Sequence, residues 1–172
     1  MIDIPTALTP AETAELQTLA EGFDVLEVGS LLGYSTTRLA ERARIVHSVD
    51  PHEGYPADNP RPTLAPFLAN LVECGVREKV VVHIGQDIDV LPSLRRGQFD
   101  LAFLDMTGMY EDTMRGIMLA VPLLRHYAAL AVHDCGHPDY PGALAAVQTY
   151  ANMTGTTFRL IDRLAIFEQT WN

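Results

Sequence analysis

Short apolar runs alternate along this chain with stretches whose apolar residues recur at helical spacing, and that rhythm predicts the elements in order. Thr9-Pro10-Ala11-Glu12 reads as a helix start, with Thr9 as cap, Pro10 in the first turn and Glu12 closing a capping box. Leu16 and Leu19 give that helix an apolar side, and Gly22 stops it. Apolar runs at Phe23–Val28, Ile45–Val49, Val80–Ile84, Phe99–Leu104 and Ala129–Val132 predict strands. Between them lie helical patterns: one from about Ser35 to Arg42, and one on which Leu64, Phe67, Leu68, Leu71 and Val72 share a face before Gly75. A short helix with Leu91 and Leu94 follows Gly85-Gln86-Asp87, and Met114, Ile117, Met118 and Val121 form a further apolar stripe read as core. Ala143–Ala151 is the last helix, with Leu144 and Val147 facing inward. Phe158–Ile161 and Leu164–Phe167 are too close for a crossover helix and predict an antiparallel hairpin. The segment Pro51–Pro62, with four prolines, is expected to be an irregular loop and a lid over a binding site.

Strands alternating with helices imply an α/β domain built on a mostly parallel sheet with right-handed crossovers. Such sheets bind ligands at the carboxyl ends of their strands. The stretch Leu26-Glu27-Val28-Gly29-Ser30-Leu31-Leu32-Gly33 runs from strand through two glycines into a helix, the order of a nucleoside-cradling turn. Gly29 and Gly33 allow a tight turn and let a ligand lie against bare backbone, while Ser35, Thr36 or Thr37 offers a capping hydroxyl. Leu31 stands where the dinucleotide fingerprint has its middle glycine. Acids end four strands, Glu27, Asp50, Asp105 and Asp134, with Gln86-Asp87 just past another. Gathered on one edge they suit a cationic ligand better than a pyrophosphate. His52, His133 and His137 are candidate bases, since imidazole titrates near neutrality; strand alternation puts His133 on the opposite side from Asp134.

Length and charge narrow the partners. The 172 residues predict one domain, 1–172, with residues 1–22 as a helical lead-in and 51–62 as the lid loop. Twelve basic against 22 acidic residues, a net charge of −10, disfavour nucleic acid and anionic membrane surfaces. No apolar run approaches the roughly 18 residues that span a bilayer. The start lacks a secretory pattern, and two cysteines make no disulfide framework, so a cytoplasmic protein is expected. A small molecule is the expected partner, with a homo-oligomer left open.

With these motifs in hand, the chain from about Gly22 onward resembles the class I S-adenosylmethionine-dependent methyltransferases. Leu26-Glu27-Val28-Gly29-Ser30-Leu31-Leu32-Gly33-Tyr34-Ser35-Thr36 looks like their first motif, in the form used by small-molecule O-methyltransferases of the catechol type and bacterial relatives acting on sugars and antibiotics. Gly85-Gln86-Asp87 is similar to the adenine-side motif, and Phe99–Asp105 and Ala131–Asp134 to the fourth and fifth strands. The resemblance implies a Rossmann-like seven-stranded sheet ending in an antiparallel hairpin, with helices on both faces. It implies S-adenosylmethionine as cofactor, with Gly29, Ser30 and Gly33 along the methionine part, Gln86 and Asp87 near the adenine, and Glu27 and Asp105 also binding it; Asp50, about 20 residues past the glycine turn, stands where an acid accepts ribose hydroxyls. The activity implied is methyl transfer to a small-molecule or sugar hydroxyl, with His133, Asp134 and His52 as candidate catalytic groups. Catechol-type relatives bind magnesium, and by position Asp105 and Asp134 match two of its ligands; Cys135 stands where the family has an amide, and no lysine follows Asp105. Two other readings share the turn and Asp50: a nicotinamide-dependent oxidoreductase, which Leu31 disfavours, and a non-catalytic cofactor-binding module.

Overall fold

A computed structural model describes residues 3–54 and 61–168. Thr9 and Glu12 make the reciprocal capping box that starts helix α1 (Pro10–Ala20). The chain then runs β1 (Asp24–Val28), α2 (Tyr34–Arg42), β2 (Ile45–Asp50), α3 (Leu64–Glu73), β3 (Val80–Ile84), α4 (Asp87–Val90) and β4 (Phe99–Leu104). It continues through α5 (Tyr110–Ala120), β5 (Leu124–Val132), α6 (Pro141–Thr154), β6 (Arg159–Ile161) and β7 (Leu164–Glu168). The seven strands form one sheet in the order β3-β2-β1-β4-β5-β7-β6. β1 to β5 pair in parallel, and β7 runs antiparallel to both β5 and β6, the predicted hairpin. Strand order reverses between β1 and β4, which opens a crevice above their carboxyl ends.

Alternation along the strands divides the core in two. Leu26, Val28, Ala102, Leu104, Leu130 and Val132 face α5 and α6, where Ile117, Val147 and Phe167 pack. Val25, Leu101, Phe103, Ala129 and Ala131 face the other way, against Leu16, Leu39, Phe67 and Leu71. Helices therefore cover both faces, as the unbroken burial of β1 requires. Two helix stripes are narrower than their spacing suggests: Val72 and Met118 are exposed, so Met118 does not belong to the core. β5 begins earlier than its apolar run, at Leu124, through an irregularity opposite Phe99–Leu101 that turns Tyr127 into solvent. Of the expected lid, residues 55–60 lie outside the described residues. No helix of the described residues is long and apolar enough to cross a membrane.

Candidate functional site

The turn after β1 is held by its own backbone and by Asp50. Gly33 N–H donates to the Ser30 carbonyl at 2.7 Å, and the Asp50 carboxylate accepts from the N–H groups of Ser30 and Leu31 at 2.8 and 2.9 Å. Both glycines adopt left-handed backbone, φ +89° and +88°. The space their missing side chains leave is filled by the protein: a Cβ on Gly29 would sit 1.9 Å from the Asp105 carbonyl oxygen, and one on Gly33 would sit 2.8 Å from the Phe67 ring. Gly33 itself caps α2, and no side chain does. The Thr36 hydroxyl instead donates to Glu27 at 2.5 Å, and that of Thr37 to the Tyr34 carbonyl at 2.7 Å.

Above the strand ends lies a cleft of about 910 Å³ bordered by Gly29, Ser30, Asp50, Gln86, Asp87, Asp105 and Asp134. With His137, which also borders it, eight of the residues read as functional from the sequence are thus brought together. Four are not at its wall. Gly33 is turned toward Phe67. Glu27 is fully buried on the α2 side, where burial pushes its carboxyl up to about 8 against the opposing pull of Ser35 and Thr36. His52 is turned from the cleft toward Thr63 Oγ1, 2.9 Å away, and the Phe67 ring; burial holds it below the ordinary imidazole value. His133 is buried behind Asp105 and Asp134.

The position of His133 departs from simple alternation for a local reason. Parallel register places His133 beside Asp105, and its Nδ1 lies 3.2 Å from Asp105 Oδ1. Asp134 should then point to the other face, but its φ of +60° swings the carboxylate back to 3.4 Å from the same nitrogen. Nε2 faces Glu12 at 3.4 Å. Burial opposes charge on this ring, and the hydrogen bond and charges of Asp105, with Asp134 and Glu12, outweigh it and raise its pKa. Burial likewise lifts Asp134, with the Asp105 charge adding to it. Cys135 offers nothing to this cluster: its thiol is buried, directed at the carbonyls of Val132 and His133, and pushed up to about 12 by burial.

Several cleft residues carry no motif. Arg115 of α5 grips Asp87 through Nε and Nη2 at 3.0 and 3.2 Å, and also holds Asp112. The opposite wall is Pro5–Leu8, pinned where Arg163 donates to the Ala7 carbonyl at 2.8 Å. Glu12 fixes that wall from below, accepting from Thr9 N–H at 2.7 Å and Arg163 N–H at 2.8 Å. The capping box was its only visible signal in the sequence, and a cap alone does not say that a carboxylate has a second oxygen to spend elsewhere.

The family described as "Methyltransferase domain" matches residues 26–135, from the middle of β1 to the residue after Asp134. This chain belongs to the methyltransferase-domain family. It is 36% identical over 112 residues to a catechol O-methyltransferase of Mycobacterium tuberculosis, a match covering 64% of the chain and 47% of that protein, so it spans about half of that relative's length. Among solved structures it resembles cofactor-bound Rv0187 from MTB, with 27% identity, a TM-score of 0.74, and coverage of 96% of this chain and 83% of that one. The O-methyltransferase TomG from Streptomyces achromogenes, solved with SAM, shares the fold at 22% identity and a TM-score of 0.71, covering 96% and 82%. The matched region of this methyltransferase domain contains the glycine turn, Asp50, Gln86, Asp87, Asp105 and Asp134 together. Pro5–Leu8, Glu12 and Arg163 lie outside it.

Proposed function

We propose that this chain is an S-adenosylmethionine-dependent O-methyltransferase acting on a hydroxyl of a small molecule or sugar. The observation that carries the reading is the charge of the cleft at the sheet's switch point. Asp50, Asp105 and Asp134 border it, and among the described residues their ion-pair partners are imidazoles. At the opposite edge of the sheet, by contrast, Asp24 and Asp100 are bound by Arg125, and Asp24 also by Arg44. A cleft left this negative suits a donor carrying a sulfonium and an ammonium, and repels pyrophosphate. The catechol O-methyltransferase relative and the cofactor-bound neighbour point the same way.

S-adenosylmethionine supplies an electrophilic methyl group, and the protein's task is to align an acceptor oxygen behind it. Gly29 and Ser30, which border the cleft, support the methionine part, Asp50 the ribose hydroxyls, and Gln86 with Asp87 the adenine. Asp50 is already oriented by two turn amides, so accepting a ribose hydroxyl costs it little reorganisation. The acceptor then lies toward Pro5–Leu8, Met106 and Tyr140. Its proton needs a base. His137 Nδ1 accepts the Asp139 N–H at 3.1 Å, which leaves the hydrogen of the neutral ring on Nε2 and removes the lone pair a base requires. Asp134 borders the cleft with its pKa raised, which makes it the stronger carboxylate base, and His133 acts through it from behind. A divalent cation held by Asp105 and Asp134 would polarise the acceptor oxygen and lower its pKa.

Calorimetric titration tests the reading: S-adenosylmethionine and its demethylated product should each bind one to one, and NADH should give no heat. Asp50→Ala should weaken both roughly tenfold or more, a loss of about 1.4 kcal/mol per decade. No binding of either nucleoside would remove the proposal. Binding without methyl transfer to any of a panel of phenols, catechols and sugars would favour a non-catalytic module.

A further inference from the structure

The third ligand of any cation at Asp105 and Asp134 is missing from the place the sequence suggests. Cys135 is sealed against the carbonyls of Val132 and His133, with Sγ at 3.5 and 3.8 Å. The preceding residue takes that place. His133 is buried, and its Nδ1 sits 3.2 Å from Asp105 Oδ1 and 3.4 Å from Asp134 Oδ1. One donor atom from each of these three residues lies within 4.8 Å of the others. Neighbouring ligands on an octahedral ion with bonds of about 2.1 Å are about 3 Å apart, so the three donors are close enough to converge on one ion with small adjustments.

We infer that Asp105, His133 and Asp134 bind a divalent transition-metal ion in preference to magnesium, with His133 Nδ1 as the nitrogen ligand. This rests on the methyltransferase reading above and names the ion its acceptor site would use.

Two features of the chain support a ligating imidazole. The first is its far side. Among the described residues Nε2 has no hydrogen-bond partner, only the approach of Glu12 Oε2 at 3.4 Å, and Glu12 is itself fully buried and fixed by the Thr9 and Arg163 amides. In the metal-free chain Nδ1–H donates to Asp105; an incoming ion would displace that hydrogen, and the carboxylate behind Nε2 would hold the one that remains, the usual support of a metal-bound histidine. The second is access. Asp105 and Asp134 border the cleft while His133 closes the inner side, so the protein donors lie on one flank and the rest of a shell faces the space where an acceptor oxygen would come. Magnesium takes oxygen ligands in a demanding octahedron, whereas imidazole favours the later divalent ions.

The test uses the full chain stripped of metal with chelator, then loaded with Mn2+ and followed by electron paramagnetic resonance, with Mg2+ as competitor. One Mn2+ per chain should bind at least tenfold more tightly than Mg2+. The pulsed spectrum of the native loaded chain should show coupling to a directly bound nitrogen, a readout that needs no variant. His133→Gln should lose that coupling, and Glu12→Gln should keep it while weakening the ion roughly 10- to 100-fold. Absence of Mn2+ binding at millimolar concentration, Mn2+ bound without nitrogen coupling, or Mg2+ held as tightly as Mn2+ would each overturn the inference. Titration of the demethylated nucleoside product into the metal-free chain runs alongside. If it binds while Mn2+ does not, the ion assignment alone falls; if it does not bind, the methyltransferase reading falls, and the spectrum still decides the ion.

Discussion

Glu27 stands in the middle of the sheet with one carboxylate oxygen bonded to Thr36 and the other, Oε1, without a hydrogen-bond partner among the described residues. Its position at a strand end predicts a place beside a cationic ligand; the structure instead buries it beneath the turn, on the face covered by α2. Its consequence is for stability. Burial raises its pKa from 4.5 to about 8, so the folded state keeps the proton that the unfolded chain releases. The resulting contribution is complete below pH 4.5, declines as pH rises through 8, and is then spent. Glu27→Gln should therefore match the native chain near pH 4 and exceed it by about 2–3 kcal/mol near pH 7, as urea unfolding at the two values would show. An equal difference at both values would mean that the native carboxyl is already ionised. The two glycines teach a related lesson. They were legible as conformational necessities, but Gly29 makes room for the Asp105 carbonyl and Gly33 for Phe67, contacts that only the assembled sheet and α3 supply.

Between elements, the link from α5 to α4 is the one that bears on the adenine side. Arg115 holds both oxygens of the buried Asp87, the geometry in which a guanidinium pairs most strongly with a carboxylate. Removing it leaves a buried charge with no partner of its own sign complement. Arg115→Ala should lower stability by about 1–3 kcal/mol and raise the KM for S-adenosylmethionine more than it lowers kcat, measured by urea unfolding and initial rates. Element order, strand ends and the hairpin were readable because period and breaker residues report local geometry. Met118 and Val72 misled because a helical stripe gives a direction but not how wide a strip its neighbours cover. His133 and Asp134 misled because alternation stops where φ turns positive, and nothing in Val-His-Asp-Cys announces that turn. Glu12 and Arg115 owe their roles to residues far along the chain, which spacing does not encode.

For the molecule as a whole, a net charge of −10 surrounds a cleft that is itself acidic. S-adenosylmethionine carries one more positive charge than its demethylated product, so it should bind more tightly at low ionic strength. That advantage should shrink as salt rises toward 0.5 M, because partly exposed charges are screened over about a Debye length. Parallel calorimetry of the two ligands measures it, and a salt-independent difference would remove charge as the source of selectivity.

The wall facing the strand ends adds a different kind of consequence. Thr9 meets Asp162, Glu12 meets the Arg163 amide, and Arg163 reaches Ala7, joining positions 151 to 156 residues apart. Contacts this remote in sequence are slow to gather from an unfolded chain. A nascent polypeptide still lacking β6 and β7 has the glycine turn and the strand-end acids but nothing to pin Pro5–Leu8 beside them, so that wall of the cleft should be the last to settle.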